Sequence, residues 1–354
     1  MPIPTEPVGS VPRPAYLLDA MRSAAEGRTD AAALDAAYDR AVRETIAAFE
    51  ATGSPIITDG EQSKSSFATY PLHGARNLAP DGVVIPFADG HTRQLPRLAE
   101  GPFKYAVYAG SYLARARKYA TRPLKQAVIA PSALSLLYPQ DGLRDYSREQ
   151  FIQDLIAEAT ADIRSCLDAG AVSVQLDFTE GRLAVKLDPS RGLLRQFVDL
   201  NNAVLSRFSA AERQRIGVHT CPGGDRDSTH SADVDYASLL PDLFRLEATN
   251  FFIQLASEPD RRRVLALIRE HARPFQRIFV GVTDPIAPRV ETPEDVAERV
   301  VEAAQFIPVE RLGTTDDCGF SPFADDESTA REIAFGKIAA RVAGTALAGA
   351  RLGF

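Results

Sequence analysis

Asp168-Ala169-Gly170-Ala171-Val172-Ser173-Val174-Gln175-Leu176-Asp177 joins a helix end to a buried strand, and this junction decides the fold class. Upstream of it, Phe151, Leu155, Ile156, Ala159 and Ile163 recur at helical spacing from about Arg148. Gly170 then supplies the stop that a helix C-terminus favours. Downstream, a short apolar run ends on an acid, as expected of a strand covered on both faces. A long amphipathic helix leading into a short buried strand is one αβ step of a parallel sheet.

The same step recurs outward in both directions. Towards the C-terminus, strands are expected at residues 216–220, 250–256, 277–283 and 311–315. Helices are expected near 193–208, 236–246, 259–270, 293–306 and 328–347. Thr292-Pro293-Glu294-Asp295 combines an N-cap, a first-turn proline and two first-turn acids. Towards the N-terminus, a strand spans 126–130, another spans 55–59, and Val8-Gly9-Ser10 ends a third. A helix near 31–51 carries Leu34, Tyr38, Val42, Ile46 and Phe49 on one stripe. Candidate strand ends fall at Ser10, Asp59, Tyr108, Ser132, Asp177, Cys221, Ala256, Thr283 and Cys318. That is one too many for eight strands, and the Tyr108 segment is the weakest. The expected fold is α/β, a single (βα)8 TIM barrel over residues 1–354, with an inserted hairpin and helical elaboration near 79–124. The hairpin turns at Asp89-Gly90.

Composition narrows the function. The chain has 354 residues, 45% hydrophobic and 25% charged, which is ordinary for a globular core. Its 47 acids exceed its 40 lysines and arginines for a net charge of -7, which argues against nucleic acid or an anionic membrane as partner. No stretch reads as a secretory leader or a membrane span, and three cysteines suit thiols or metal ligands in a reducing cytoplasm. Cys166, inside a predicted helix, reads as a packed apolar residue.

The chemistry gathers at the strand ends, which in a barrel share one face. They carry Ser10, Asp59, Glu61, Asp177, Glu180, His219, Cys221, Gln254, Glu258, Asp284, Asp316, Asp317 and Cys318. His219 and Cys221 are two apart and point to one side of their strand. Cys318, ending a distant strand, would complete a nitrogen and sulfur donor set suited to zinc. Zinc with an open position favours the ionised form of a substrate thiol. Asp59 and Glu61 either hold a cationic ammonium group or form a turn with a helix-capping acid. Asp177 ends a buried strand and must meet a cation, a donor or a ligand. The loop 222–230, rich in Gly, Asp and Ser, reads as a solvated loop or as a gate over the substrate.

Taken in order, these motifs resemble cobalamin-independent methionine synthases, in particular the C-terminal catalytic half and the short single-barrel enzymes. Val8-Gly9-Ser10-Val11-Pro12-Arg13-Pro14 is similar to the opening loop of the family, and Asp59-Gly60-Glu61-Gln62 to its D-G-E-Q segment. Val174-Gln175-Leu176-Asp177 resembles its acid-ended strand, and His219-Thr220-Cys221 and Asp317-Cys318-Gly319 its zinc ligands. The resemblance implies zinc-dependent methyl transfer to homocysteine, with His219, Cys221 and Cys318 as catalytic metal ligands. It implies that Ser10, Glu61 and Asp177 bind the amino acid. Gln254 stands where the family places a glutamate as fourth ligand; Glu258, or no protein ligand, are the alternatives. Asp284-Pro285-Ile286-Ala287 lacks the histidine that serves as proton donor in the long enzymes. The methyl donor is a folate, a methyl-corrinoid protein or another small methyl compound. Two other readings are a zinc-dependent thiol alkyltransferase of the epoxide–coenzyme M transferase type, and a non-catalytic binding homologue.

Overall fold

A computed structural model describes residues 2–354. Six parallel strands form its central sheet in the order Leu312–Asp316, Arg277–Thr283, Asn250–Ile253, Ile216–Thr220, Ser173–Asp177 and Lys125–Ile129. Spatial order follows chain order, so every connection is a crossover to the next neighbour, and every pairing is parallel. The junction at Gly170 shows how the local sequence sets this up. Gly170 adopts φ +90°. Its N–H donates to Leu167 O at 3.0 Å and that of Ala171 to Cys166 O at 3.0 Å, the paired bonds of a Schellman stop. At the other end of the same helix, Arg148–Asp168, Ser147 and Gln150 form a capping box.

Two further segments flank the sheet. Thr5 bridges Thr314 and Ile57 bridges Leu124, both parallel. Single bridges thus stand in place of the strand expected to end at Val8-Gly9-Ser10 and of the one expected at 55–59. The turns that follow are tied to each other, since Thr58 Oγ1 donates to Gly9 O at 2.8 Å and Val11 N to Gly60 O at 3.1 Å. The whole is an α/β fold of TIM-barrel-like layout. Gly60 lies at φ +66°, and a Cβ there would stand 2.6 Å from Thr45 Cγ2 and 2.7 Å from Val11 Cγ2. Gly60→Ala is expected to destabilise the protein by about 1–3 kcal/mol in urea unfolding, the typical cost of one strained backbone position.

Several expectations need correction. The Tyr108 segment is not a strand: Tyr105 N and Tyr108 OH donate to Glu158 at 3.0 and 2.6 Å, which lays it along the helix Arg148–Asp168. The helix expected at 236–246 is two short pieces, Tyr236–Ser238 and Leu240–Leu243, the second with Pro241 in its first turn. Helices Ala15–Ala25 and Glu180–Leu187 had no counterpart in the sequence reading. The loop 222–230 is a built turn, pairing Gly224–Asp225 with Ser228–Thr229. The expected hairpin is present, Val84–Pro86 against Thr92–Gln94, and it rests on that turn. Ala88 N donates to Thr229 O at 3.0 Å, and Arg93 grips both oxygens of buried Asp225 at 2.5 and 3.0 Å. The last helix, Arg331–Arg351, does have the length and composition of a membrane span. It nevertheless buries two charges: Lys337 pairs with Glu291 at 2.9 Å and Arg341 with Asp316 at 2.9 Å. Those pairs bind it to the fold.

Candidate metal centre

Strand Ile216–Thr220 carries His219 and leads into Cys221, while Cys318 follows Leu312–Asp316 by two residues. The ligand atoms of the three residues all lie within 4.8 Å of one another. The two sulfurs are 3.2 Å apart, so the chain folds a 97-residue separation into one contact. His219 Nδ1 faces Phe252 O at 3.2 Å, which places the proton on Nδ1. His219 Nε2 is then a buried lone pair with no hydrogen-bond partner among the described residues. Leaving such an atom empty is costly. The Cys318 thiol is held well above its usual range, first by the facing Cys221 sulfur and then by burial. A dication between these groups would relieve both conditions, so the donor set fits a metal. Gly223 N donates to Cys221 Sγ at 3.4 Å from the turn beneath the hairpin.

A small pocket of about 30 Å³ opens beside His219 and Cys318, lined by Ser10, Glu61, Phe67, Asp177 and Thr179 among others. Close backbone approach builds this wall: a Cβ on Gly319 would stand 2.2 Å from Ser10 Oγ. The alternatives for Asp59 and Glu61 divide between the two residues. Asp59 Oδ1 accepts the N–H of Glu61 at 2.9 Å, and so takes the turn. Glu61, at φ +56°, lines the pocket. Asp177 accepts from Gln175 Nε2 at 2.7 Å. Burial lifts its pKa to about 6, against the pull of His219 and with a push from Glu61.

Sequence reasoning missed Lys64. Its ammonium, 1% exposed, pairs with Glu61 Oε1 at 2.9 Å, donates to Ala127 O at 2.9 Å and lies 4.4 Å from the Tyr70 ring centre. Its only signal was the three-residue spacing from Glu61 to Lys64 in Asp59-Gly60-Glu61-Gln62-Ser63-Lys64, which is too common to act on.

Other strand-end residues have partners of their own. Gln254 Oε1 accepts from Tyr236 OH at 3.0 Å, and its Nε2 donates to Ser257 Oγ at 2.5 Å. Glu258 is paired with Arg182 at 2.5 Å. Asp317 accepts the N–H groups of Leu255, Ala256 and Ser257 at 2.7–2.8 Å, which shapes the loop beside the centre. Asp316 binds Arg341, and Asp284 accepts from Ile286 N at 3.0 Å.

Glu180 differs from all of these. It is buried, Ser132 Oγ donates to its Oε1, and its Oε2 has no partner among the described residues. Burial pushes its pKa up to about 8. The folded state therefore holds this proton where an unfolded chain, near 4.5, has lost it. Folded protein binds more protons between those values, so this group lowers stability as pH rises from about 4.5 to 8. Glu180→Gln is expected to raise the melting temperature relative to wild type at pH 9 and to leave it nearly unchanged at pH 4. Thermal unfolding across that range checks it.

Residues 3–339 match the family described as the catalytic domain of cobalamin-independent synthase. The 5-methyltetrahydropteroyltriglutamate–homocysteine methyltransferase of Nitratidesulfovibrio vulgaris is 23% identical over 90% of this chain. The chain spans only 38% of that relative's length. The methionine synthase of Sulfurisphaera tokodaii is 22% identical, over 97% of this chain and 91% of its own. Among solved structures, a B12-independent methionine synthase from Shewanella sp. W3-18-1, in complex with selenomethionine, superposes with a TM-score of 0.78. It is 19% identical and covers 99% of both chains, which shows the shared fold.

Proposed function

The chain belongs to the family of cobalamin-independent synthase catalytic domains, and from that premise we propose that it is a zinc-dependent methyltransferase acting on a thiol, with homocysteine as acceptor and methionine as product. The observation that carries this reading is the convergence of His219 Nε2, Cys221 Sγ and Cys318 Sγ beside a pocket holding two acids. Two thiolates and an imidazole suit zinc above harder cations. Bound there, zinc would supply Lewis acidity that favours the ionised form of an acceptor thiol at neutral pH. His219, Cys221 and Cys318 would hold it. The fourth position falls to Gln254, to Glu258 or to no protein ligand; Gln254 is already bonded on both sides and Glu258 is paired with Arg182.

The rest of the site belongs to the acceptor. Glu61 and Asp177 line one pocket, and Glu61 is ion-paired to Lys64. Asp177 accepts from Gln175, a neutral donor, so a substrate ammonium would supply its paired charge. Ser10 offers a hydroxyl on the same wall. By name, one of the two relatives is a homocysteine methyltransferase and the other a methionine synthase. The Shewanella structure holds selenomethionine, the selenium analogue of the proposed product.

Residues 1–354 act in this reading as one catalytic unit. The six-stranded sheet, flanked by the bridges at Thr5 and Ile57, supports a (βα)8 barrel in this reading. Three free cysteines, two of them proposed ligands, suit a reducing cytoplasm. The test is direct. Zinc-loaded protein, incubated with homocysteine and 5-methyltetrahydropteroyltriglutamate, should yield methionine by mass spectrometry. Turnover of a different thiol, with none of homocysteine under any methyl donor, would reject it.

A further inference from the structure

We propose that Glu180, in the cavity roofed by the hairpin, is the acid that protonates the leaving nitrogen of an N-methyl heterocyclic donor. The inference rests on the thiol-methylation reading above and assigns one catalytic residue within it.

The cavity measures about 330 Å³, and its apolar wall includes Phe67, Ile85, Phe87, Leu95, Leu136 and Leu183. That volume suits a planar bicyclic ring. Phe67, Thr179, Gly223 and Gly224 line both this cavity and the small pocket beside His219 and Cys318, so the two spaces share a wall. A methyl group passed between them travels the least distance at that wall.

The ionisable groups on the cavity wall are committed elsewhere, with one exception. Arg93 and Asp325 pair with each other at 3.0 Å, and Arg93 also holds Asp225. His230 shares a proton with Ser231 Oγ at 2.6 Å, and burial keeps its ring neutral, with a pKa near 4. Among them Glu180 alone has a buried carboxyl oxygen without a partner, and it is 4% exposed. Asp177 lies on the preceding strand, and the Arg93–Asp325 pair lines the same cavity. Burial and Asp177 both favour the protonated carboxyl at neutral pH.

A second cavity of about 340 Å³ also reaches Cys318, through Gln254, Asp284, Ile286 and Asp317. None of those polar side chains has an unpartnered buried atom. It therefore offers no buried, unpartnered acid of the kind Glu180 presents.

The step balances without an outside oxidant or reductant. The N–CH3 bond breaks as the S–CH3 bond forms. The nitrogen keeps the bonding pair and takes the Glu180 proton. The carboxylate left behind is reprotonated by the proton that the next acceptor thiol releases. An amine nitrogen needs this proton to depart, whereas iodide does not. General acids of this kind contribute roughly 10²–10⁴-fold.

The experiment compares wild type with Glu180→Gln, using homocysteine as acceptor and 5-methyltetrahydrofolate or methyl iodide as donor. Glu180→Gln should lower the 5-methyltetrahydrofolate rate by about 10²–10⁴-fold and the methyl iodide rate by less than about tenfold. A readout independent of turnover uses metal-free protein: calorimetry of tetrahydrofolate binding. Leu136→Trp, which fills the proposed pocket, should weaken it at least tenfold, while Ile286→Trp, in the other cavity, should not. Equal loss with both donors, no loss with either, or blockage by Ile286→Trp alone would overturn the proposal. So would a wild type that uses methyl iodide but no N-methyl donor, although thiol methylation would then still stand. Failure with methyl iodide as well would reject the thiol reading, and the calorimetry would still decide the pocket.

Discussion

Cys318→Ser is expected to lose stoichiometric zinc and, with it, thiol methylation. Serine is a poor zinc donor beside thiolate and imidazole. Changing a residue that only supports a metal ligand typically costs 10–100-fold in affinity, so removing a ligand should cost more than about 100-fold. The loss is not compensated locally. His219 Nε2 has no other partner among the described residues, and Gln254 and Glu258 are already bonded to Tyr236, Ser257 and Arg182. Cys221→Ser should behave alike. Cys166→Ala, at the buried cysteine of the helix Arg148–Asp168, should keep full metal content. Elemental analysis after dialysis against a weak chelator reads all three. Full zinc retained by Cys221→Ser and Cys318→Ser would remove the centre from the argument.

Lys64→Met is expected to destabilise the protein by about 3–5 kcal/mol, the usual cost of breaking a buried ion pair from one side. The side chain is 1% exposed, and its partner Glu61 is 4% exposed. Removing the ammonium leaves Glu61 buried near Asp177 without its ion-pair partner. The Lys64→Met/Glu61→Gln double variant should recover much of the loss, because no lone charge remains. The two effects then separate in function: the double variant should fold yet bind homocysteine weakly. Urea unfolding and calorimetry of homocysteine binding give the two numbers. A single Lys64→Met variant as stable as wild type would show that Glu61 is neutral in the folded protein, and the charge argument for an ammonium subsite would fall with it.

How much of this was legible beforehand follows from where each piece of information resides. The helix at 31–51 and the strands at 216–220 and 277–283 appear at the positions their periodicity indicates. Periodicity, caps and glycine stops act over one or two turns, so they survive any tertiary context. The helix Glu180–Leu187 did not show itself, because Gly181 and Arg182 blur its short apolar face. The Tyr108 segment looked like a strand because aromatic residues favour strands. Its backbone instead found acceptors on a neighbouring helix.

The chain on its own determined the alternation of strands and helices, the residue types gathered at strand ends, and the ordered motifs that resemble one family. Only the tertiary structure decided which of those residues meet. It set Cys221 against Cys318, gave Asp59 to a turn and Glu61 to a pocket, brought Lys64 in as the neutralising cation, and left one oxygen of Glu180 without a partner. The division has a physical cause. Elements form from contacts a few residues apart, whereas charge pairing and metal geometry depend on side chains brought together from opposite ends of the sequence, with their partners chosen by burial.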